Sequence, residues 1–314
     1  MKKVALWGVW HVHAGHFVDM ASRYGEVVGV WEDNREWQAE FCRKHNLYAY
    51  SSLDEMLTSD VEGVIVCTET SRHKEVILKL IEAGKHIFTE KVLAITDEDA
   101  NEIARAVKAS GLLFAICFPN IAYSFTQTIK EEILKKGELG KINSVRFRYS
   151  HTAASEDELP PHFYDRETAG GGALIDHGVH GLSVIYHLFG LPARYKSMIS
   201  VSTANKDSLT KNKDMVEDNS FALMGYDNGL IAMNECSSVA SVPLTIEISG
   251  EKGSCRFTCD RLTKNIDSIE TEVEQTKYMF HPLKQFMLED IDPAFGVDTG
   301  VAVTYMVNRL YENQ

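Results

Sequence analysis

The sequence predicts an α/β protein in which a doubly wound parallel sheet precedes an α+β domain with a largely antiparallel open sheet. Apolar strands alternate with helix-length amphipathic segments up to residue 121, the pattern of parallel strands joined by crossover helices. From residue 122 onward strands follow one another with few helices between them, which indicates antiparallel pairing. Because the chain has 314 residues and single cores stop growing at about 250–300 residues, we predict two domains, residues 1–121 and 122–314.

Strands and helices alternate throughout the first domain. The predicted strands are Lys3–Leu6, Val27–Trp31, Gly63–Cys67, His86–Thr89 and Leu113–Phe118. The predicted helices are Phe17–Arg23, Trp37–His45, a short one that Ser52 caps, His73–Ala83, and one that Thr96 caps and Gly111 ends. Such sheets bind ligands beyond the carboxyl ends of their strands, so we expect functional residues in the segments that follow these strands.

The second domain combines helices with a run of strands. Helices are predicted at Phe125–Lys136 and Ala173–Phe189, strands at Ile142–Tyr149, Tyr195–Ser202, Ser220–Tyr226, Leu230–Cys236, Leu244–Ser249 and Ser254–Cys259, and polar loops at Glu156–Glu167 and Lys206–Lys213. An open sheet leaves a broad face to bury, and the candidates to cover it, some of which must face the domain's own helices, are Leu223, Ile231, Met233, Ile246 and Ile248. We therefore expect a homodimer or homotetramer.

Composition and charge disfavour several classes of partner. The net charge of −13 argues against nucleic acids and anionic membranes, which both select basic surfaces. The apolar N-terminal run is interrupted by His11, His13 and His16, so neither a signal peptide nor a membrane span is expected. The six cysteines form no CxxC motif, which indicates reduced thiols and a cytoplasmic protein.

The turn after the first strand departs from the glycine-rich pattern of dinucleotide-binding folds. Gly8 fits the first glycine, but Trp10 and His13 stand where the second and third would be. The second glycine lets phosphate approach the backbone, and an indole there should crowd or redirect it. We expect His11 to line the nicotinamide side of the site. His11, His13 and His16 have no cysteine partner and no closed-site spacing, so no metal site is predicted.

Residues after the second and third strands are candidates to hold a cofactor. Glu32 ends the second strand, where an acid would bind the ribose hydroxyls of NAD and repel the 2′-phosphate of NADP. The neighbouring Asp33 could play the same part. Thr68 and Thr70 follow the third strand, where a loop would contact the cofactor. His73 is either another residue of that loop or simply the first residue of a helix.

Two further segments carry residues suited to acid–base chemistry. Lys91 follows the fourth strand and is either a surface lysine or a group that stabilises an alkoxide. Asp176 and His180 follow three consecutive glycines and are four residues apart on a predicted helix, so their side chains share one face. A carboxylate beside an imidazole favours a general base, although an exposed ion pair has the same spacing.

The order of these residues resembles the glucose–fructose oxidoreductase, inositol dehydrogenase and MocA family over nearly the whole chain. The most specific parts are Glu90-Lys91 and the segment from Gly170 to His180. The resemblance implies an N-terminal Rossmann domain that binds NAD or NADP, of which Glu32 favours NAD, and a C-terminal sheet for substrate and subunit contacts. It implies that Lys91, Asp176 and His180 are catalytic and face one cleft. It also implies that Glu90 lies near the nicotinamide ribose and that Thr68 and His73 belong to the cofactor-side loop.

Besides Trp10 and His13, four residues depart from the pattern of that family, namely Val92, Asn120, His177 and Ser183. Val92 stands where the family has a proline, often after a cis peptide bond. A cis bond before a residue other than proline costs about 3–4 kcal/mol, so we expect Lys91 to point differently or to be held by its surroundings. Asn120 stands near a position where many members have arginine, and Ser183 where many have aspartate.

These residues together predict an NAD(P)-dependent oxidoreductase that acts on a secondary alcohol of a sugar, sugar derivative or cyclitol. Residues that could line a substrate pocket are Arg146, Arg148, His151, His162 and Tyr164. One alternative is a non-catalytic, ligand-sensing or regulatory member of the family, which the altered glycine turn favours. The other is NAD-assisted sugar elimination or glycoside cleavage.

Overall fold

The computed structural model describes residues 2–154, 159–202 and 216–314. The predicted loop Lys206–Lys213 and residues 156–158 of the predicted loop Glu156–Glu167 lie outside these ranges. The chain divides into two compact units. Unit 1 comprises Met1–Cys117 and Phe280–Thr304, and unit 2 comprises Phe118–Met279 and Tyr305–Gln314.

Unit 1 is built on a parallel sheet. Its strands are β1 (Lys3–Trp7), β2 (Glu26–Trp31), β3 (Tyr48–Ala49), β4 (Gly63–Val66), β5 (His86–Thr89) and β6 (Phe114–Ile116). The helices between them are α1 (Ala14–Ala21), α2 (Arg35–His45), α3 (Leu53–Thr58), α4 (His73–Glu82) and α5 (Asp97–Ser110). The strand order β3-β2-β1-β4-β5-β6 confirms the predicted doubly wound sheet and reverses direction between β1 and β4, where such folds bind ligands.

The predicted helix boundaries rest on caps that the structure contains. The Ser52 and Thr96 side chains accept the N–H groups of Glu55 and Asp99 at 3.1 Å each, and Gly111 ends α5 in the left-handed conformation. The short edge strand β3 was not predicted, because it has only two residues and both are exposed.

Unit 2 is built on a second sheet. Its strands are β7 (Ile142–Ser150), β8 (Arg194–Ser200), β9 (Asn219–Gly225), β10 (Ile231–Ser237), β11 (Val242–Gly250), β12 (Gly253–Thr258), β13 (Arg261–Ile266) and β14 (Ile269–Glu272). The order is β14-β13-β12-β11-β7-β10-β9-β8. Among the described strands of this second sheet, only the β7–β10 pair is parallel. The predicted, largely antiparallel sheet is confirmed. The hairpin β13–β14 was missed because its residues are mostly polar.

The helices of unit 2 include two segments of π-helix. They are α6 (Pro119–Ala122), α7 (Ser124–Thr128) with the π segment Ile129–Leu134, α8 (Arg166–Ala169), and α9 (Val179–Phe189) after the π segment Leu174–Gly178. The predicted helix Ala173–Phe189 is therefore present, but its first turn is wider than an α-helical turn. None of the helices in the described part of the chain is both long and apolar enough to cross a membrane.

The face of the second sheet that packs against α9 is mostly apolar near its centre, with the buried Asn234 as a polar exception. Val145 and Phe147 of β7 are buried there, and a Cβ on Gly181 of α9 would lie 2.5 Å from the Phe147 ring. Ile246 and Ile248 pair directly with Phe147 and Val145 and are fully buried. Ile246 and Ile248 are therefore among the five candidates that face the unit's own helices, because strand alternation places them on this side of the sheet.

The opposite face of this sheet, which we call the open face, carries exposed apolar side chains. Met198, Phe221, Leu223 and Ile231 are 46–76% exposed. They lie on the adjacent strands β8, β9 and β10, and Met198 is the direct cross-strand partner of Phe221. Leu223, Ile231 and Met233, three of the five residues predicted to cover this surface, are therefore on it, since Met233 pairs directly with Leu223.

The C-terminal region does not stay in the second unit, as the predicted domain 122–314 assumed. Its helices are α10 (Pro282–Leu288) and α11 (Val297–Glu312). Leu283, Phe286 and Met287 of α10 are buried in the core of unit 1, together with Phe17 and Phe88. A short apolar helix can complete either core, and the sequence pattern does not say which one it joins.

The glycine stretch before α9 fits against a buried carboxylate. A Cβ on Gly171 would lie 2.0 Å from the Tyr311 hydroxyl, and one on Gly172 would lie 1.9 Å from the Glu217 backbone oxygen. Glu217 Oε1 accepts the N–H groups of Gly172 at 3.1 Å and Leu174 at 3.0 Å, and the Tyr311 hydroxyl at 2.8 Å. The missing side chains thus allow Glu217 to hold the start of the helical segment.

Replacing Gly172 by alanine should destabilise unit 2 strongly. The new Cβ would clash with a backbone oxygen at 1.9 Å, which cannot rotate away. We expect the free energy of unfolding to fall by more than about 2 kcal/mol, measured by urea unfolding. Gly171→Ala is the matched control, because its Cβ meets the far end of the Tyr311 side chain, which can shift. Equal destabilisation by the two variants would contradict this explanation.

Candidate active site

The turn between β1 and α1 needs glycine at its first position. Gly8 has φ +88°, and a Cβ there would lie 2.7–2.9 Å from atoms of Thr68 and Cys67 at the end of β4. The Gly8 N–H donates to the Trp31 carbonyl at 2.8 Å, and the His11 N–H donates to the Cys67 carbonyl at 3.2 Å. Gly8 therefore lets the turn lie directly against the neighbouring strands, as a dinucleotide-binding turn does.

The substituted positions of the turn are occupied by packed side chains. Trp10 is 6% exposed, so its indole is buried. His13 precedes the first residue of α1, and its ring lies 4.5 Å from the ring of His11. The turn thus presents two imidazoles at the start of α1, where a glycine-rich turn presents backbone N–H groups.

Glu32 lies at the carboxyl end of β2, as predicted, and also holds the turn. Its Oε2 accepts the Val9 N–H and its Oε1 accepts the Asn34 N–H, both at 2.9 Å. Each carboxylate oxygen can accept a further hydrogen bond, so the ribose of a dinucleotide could still bind here. Asp33, the alternative acid, is paired with Arg72.

The segment after β4 is buried, and its histidine has a structural partner. Thr68 and Thr70 are both buried. His73 is 1% exposed, and its Nδ1 donates to the Val92 carbonyl at 2.8 Å. Burial lowers the pKa of His73, which favours the neutral ring. His73 is therefore the first residue of α4 and also a support for the chain after Lys91, a role that sequence reasoning missed.

Lys91 is buried rather than a surface lysine. It is 5% exposed, and its N–H donates to Glu90 Oε2 at 2.9 Å. The Lys91–Val92 peptide bond is cis, although valine replaces the proline of the family. The predicted departure at Val92 therefore leaves the backbone in the cis form.

Glu90 joins the turn to β5. Its Oε1 lies 2.7 Å from His13 Nδ1 and 3.5 Å from His11 Nδ1. Burial opposes ionisation of Glu90, but His11, His13 and Lys91 together hold the pKa of the carboxyl well below its usual range. These neighbours favour the ionised form of the buried Glu90 carboxylate. Nothing in the sequence linked it to the histidines, which lie almost 80 residues earlier.

In unit 2 the candidate catalytic residues lie at the junction of a π segment and an α-helix. Asp176 belongs to the π segment and His180 to the first turn of α9. Asp176 Oδ2 lies 3.3 Å from Nε2 of the adjacent His177. Ser183, where the family often has aspartate, donates to the His180 carbonyl at 3.0 Å. Asp176 thus has the imidazole of His177 beside it, a contact that the four-residue spacing to His180 did not suggest.

Aromatic side chains of β7 and the residue after it pack against these histidines. The Tyr149 ring lies 5.7 Å from the His180 ring at 90°, and the His151 ring lies 3.9 Å from the His177 ring. Sequence reasoning selected His151 but missed Tyr149. Strand alternation could have found it, because Tyr149 is two residues after the buried Phe147.

Arg146 and Arg148, two of the residues suggested for a substrate pocket, bind Glu235 instead. Arg146 Nη2 donates to Glu235 Oε2 at 2.8 Å, and Arg148 binds both Glu235 oxygens at 2.9 and 3.0 Å. Both arginines alternate with Phe147 along β7, so they lie on the open face, away from His180. They do not line the same surface as the histidine.

Sequence comparison relates both parts of the chain to one family. Residues 3–118 match the "Oxidoreductase family, NAD-binding Rossmann fold", and residues 127–256 match the "GFO/IDH/MocA C-terminal domain". Glucose-6-phosphate 3-dehydrogenase of Bacillus subtilis strain 168 is 24% identical over 266 residues, which are 82% of this chain and 74% of that protein. The scyllo-inositol 2-dehydrogenase (NADP(+)) of the same organism is 25% identical over 293 residues, 92% of this chain and 83% of that protein.

Structural comparison agrees with the sequence matches. Levoglucosan dehydrogenase in complex with NADH and levoglucosan superimposes with a TM-score of 0.83 at 19% identity, covering 99% of this chain and 96% of that chain. At this identity the likeness shows the fold. The predicted family and the predicted oxidoreductase class are confirmed by the two family matches and by relatives that are named dehydrogenases. The chain belongs to the GFO/IDH/MocA family of oxidoreductases.

Proposed function

We propose that the protein transfers hydride between a secondary alcohol of a sugar, sugar derivative or cyclitol and a nicotinamide cofactor, with NAD preferred over NADP. The observation that carries the proposal is the buried Lys91, which lies directly after β5 at the ligand-binding edge of the NAD-binding unit. Burial of a charged lysine is unfavourable in free energy. A role in polarising a substrate oxygen explains why a lysine nevertheless occupies this buried position. Relatives named for glucose 6-phosphate and scyllo-inositol support the substrate class.

The residues of unit 1 fit a dinucleotide. Gly8 has the positive φ and the close approach to β4 that the turn requires, and the Glu32 carboxylate ends β2. Thr68 and Thr70 follow β4, and Glu90 follows β5. The bound cofactor would supply the hydride acceptor, C4 of its nicotinamide. The protein's task is then to bind the alcohol, orient it and remove its proton.

We assign the proton transfer to His180. As the alcohol carbon loses hydride, the hydroxyl proton passes to His180, and a carbonyl remains. Asp176 stabilises the positive charge that develops on the imidazole, and Tyr149 limits the movement of the His180 ring through its perpendicular contact. Lys91 stabilises the negative charge on the reacting oxygen.

The acids after β2 support NAD over NADP. Glu32 and Asp33 are consecutive carboxylates where the 2′-phosphate of NADP would lie. Arg72, the nearby cation, is paired with Asp33 and lies 3.7 Å from Glu69, so it is not left to bind a phosphate. This preference would differ from that of the relative named for NADP(+).

A ligand-binding member without turnover is the second candidate function. Trp10 and His13 replace the glycines that usually receive pyrophosphate, and this observation favours it. NAD-assisted elimination would use the same hydride transfer transiently. The two candidates differ from a dehydrogenase in one measurable way, since neither accumulates NADH with a polyol.

We also propose that a second copy of the chain covers the open face. Met198, Phe221, Leu223 and Ile231 form its apolar part, and a patch of this kind on one strand group is typical of subunit contacts. Beside them, Arg146, Arg148 and Glu235 supply charges of both signs, which suits pairing of a surface with itself. The six free thiols support a reducing compartment, and we propose the cytoplasm.

Removal of the proposed base should abolish most turnover. For His180→Ala, tested with NAD and a panel of sugars, sugar acids and inositols, we expect kcat to fall about 10²–10⁴-fold with a smaller change in KM. His187→Ala removes another histidine of α9 and is the control, with turnover expected near that of the unchanged protein. Near-parental turnover of His180→Ala would overturn the assignment.

Removal of the negative charge of Glu32 should reduce the preference for NAD over NADP. Trp10 and Trp31 adjoin the proposed cofactor site, so NAD should quench tryptophan fluorescence at lower concentration than NADP. For Glu32→Gln we expect the ratio of the two Kd values to shift toward NADP by about tenfold, since a hydrogen bond to a charged group contributes about 1.5–3 kcal/mol. Asp33→Asn is the paired variant and should shift the ratio less. No quench by millimolar NAD or NADP would contradict both enzyme proposals.

A charge on the open face should separate the subunits. We expect Leu223→Glu to convert the oligomer to monomer in sedimentation velocity, because burying an unpaired carboxylate against apolar side chains is strongly unfavourable. Tyr278→Glu changes another exposed side chain of unit 2, away from the strands, and should keep the assembly. A monomeric unchanged protein at micromolar concentration would contradict the proposal.

A further inference from the structure

We propose that His11, His13 and Glu90 form a binding site for a divalent cation of the zinc type. Among the described residues these three offer one ligand atom each within 4.8 Å of one another. The sequence analysis considered only the histidines of the turn. The fold adds a buried carboxylate to two of them.

The distances between the ligand atoms are close to those around a tetrahedral zinc ion, although one pair of atoms is now joined by a hydrogen bond. Zinc binds nitrogen and oxygen ligands at about 2.0–2.2 Å, so two ligand atoms of one tetrahedral ion lie roughly 3.3–3.6 Å apart. The 3.5 Å between His11 Nδ1 and Glu90 Oε1 already has this length. The 2.7 Å between His13 Nδ1 and Glu90 Oε1 is a hydrogen bond, and the ion would replace the shared proton and widen this contact.

The ligands are preorganised by the chain around them. Glu90 is 1% exposed and His11 6% exposed, so neither moves freely. Glu90 Oε2 accepts the Lys91 N–H at 2.9 Å, and such outer hydrogen bonds orient a metal-binding carboxylate. The His13 N–H donates to His11 Nδ1 at 3.2 Å, a long contact that coordination of His11 would replace. The His13 side chain is 43% exposed, which gives an ion a route from solvent.

The donor set selects the class of ion. Two imidazoles and one carboxylate suit Zn²⁺ and Co²⁺, whereas Mg²⁺ and Ca²⁺ prefer oxygen ligands alone. Three protein ligands leave one position of a tetrahedral ion open, as in catalytic zinc sites. The inference does not depend on the proposed dehydrogenase function, because it rests only on side chains within unit 1.

Metal binding can be tested on the full chain without any activity assay. The protein is first treated with EDTA, which is then removed. We expect the unchanged protein to bind about one equivalent of Zn²⁺, and competition with a chromogenic chelator measures this binding. Co²⁺ in its place should give the strong visible absorption of a tetrahedral ion. Binding should release the proton held between His13 and Glu90, detectable with a pH indicator in weakly buffered solution.

Substitutions in the turn distinguish Zn²⁺ binding at this site from non-specific Zn²⁺ binding to surface histidines. His13→Ala should weaken Zn²⁺ binding more than about 100-fold, since even outer partners of a metal site contribute 10–100-fold. It removes a half-exposed side chain, so the fold should persist, as circular dichroism would verify. Glu90→Gln should also weaken binding. His16→Ala removes an exposed histidine of α1 outside the group and should bind Zn²⁺ like the unchanged protein.

Two results would overturn the inference. One is that the unchanged protein binds Zn²⁺ no more tightly than His13→Ala, and the other is that His16→Ala loses as much affinity as His13→Ala. NAD binding, measured separately by tryptophan fluorescence, distinguishes this failure from that of the proposed function. A protein that binds NAD but not Zn²⁺ retains the dehydrogenase proposal alone, and one that binds Zn²⁺ but not NAD retains the metal site alone.

Discussion

The buried carboxylate of Glu90 is the interaction on which the site of unit 1 depends. An ionised carboxylate removed from water is unstable unless cations and hydrogen-bond donors surround it. His13, His11 and the Lys91 N–H meet this requirement from two segments of the chain. The histidines that replace part of the glycine-rich turn therefore have a purpose of their own. They compensate a charge that lies beside the lysine proposed to act on the substrate.

A second buried carboxylate organises unit 2 in a different way. Burial raises the pKa of Glu217, while the Tyr311 hydroxyl and two backbone N–H groups oppose that shift. The Glu217 backbone also lies so close to Gly172 that no side chain fits there. The glycines are thus required for packing, and they fix the start of the segment that carries Asp176 and His180, the residues proposed to act in catalysis. In both units the proposed chemistry depends on how a buried acid is satisfied.

Some features of this chain fit the family pattern, and others differ from it. The Rossmann unit, the mixed sheet and the cis bond after Lys91 are compatible with the family pattern that Glu90-Lys91 suggested. The turn after β1 is particular, since Trp10 is buried and the two histidines contact Glu90. His73 is particular as well, because its ring supports the Val92 carbonyl. The proposals for NAD and for a divalent cation both use Glu90, and they differ in the ligand that the turn receives.

The sequence by itself determined the local elements and the class of protein. Apolar periodicity, caps such as Ser52 and Thr96, and the order of Glu32, Lys91 and His180 are local signals, and both sheets and the family followed from them. Contacts between distant segments could not be predicted in this way. The pairing of Glu90 with His13, of Glu217 with Gly172 and of α10 with the core of unit 1 was decided by the tertiary structure alone. A carboxylate or a short apolar helix can be satisfied by many partners, and only the packed chain selects one.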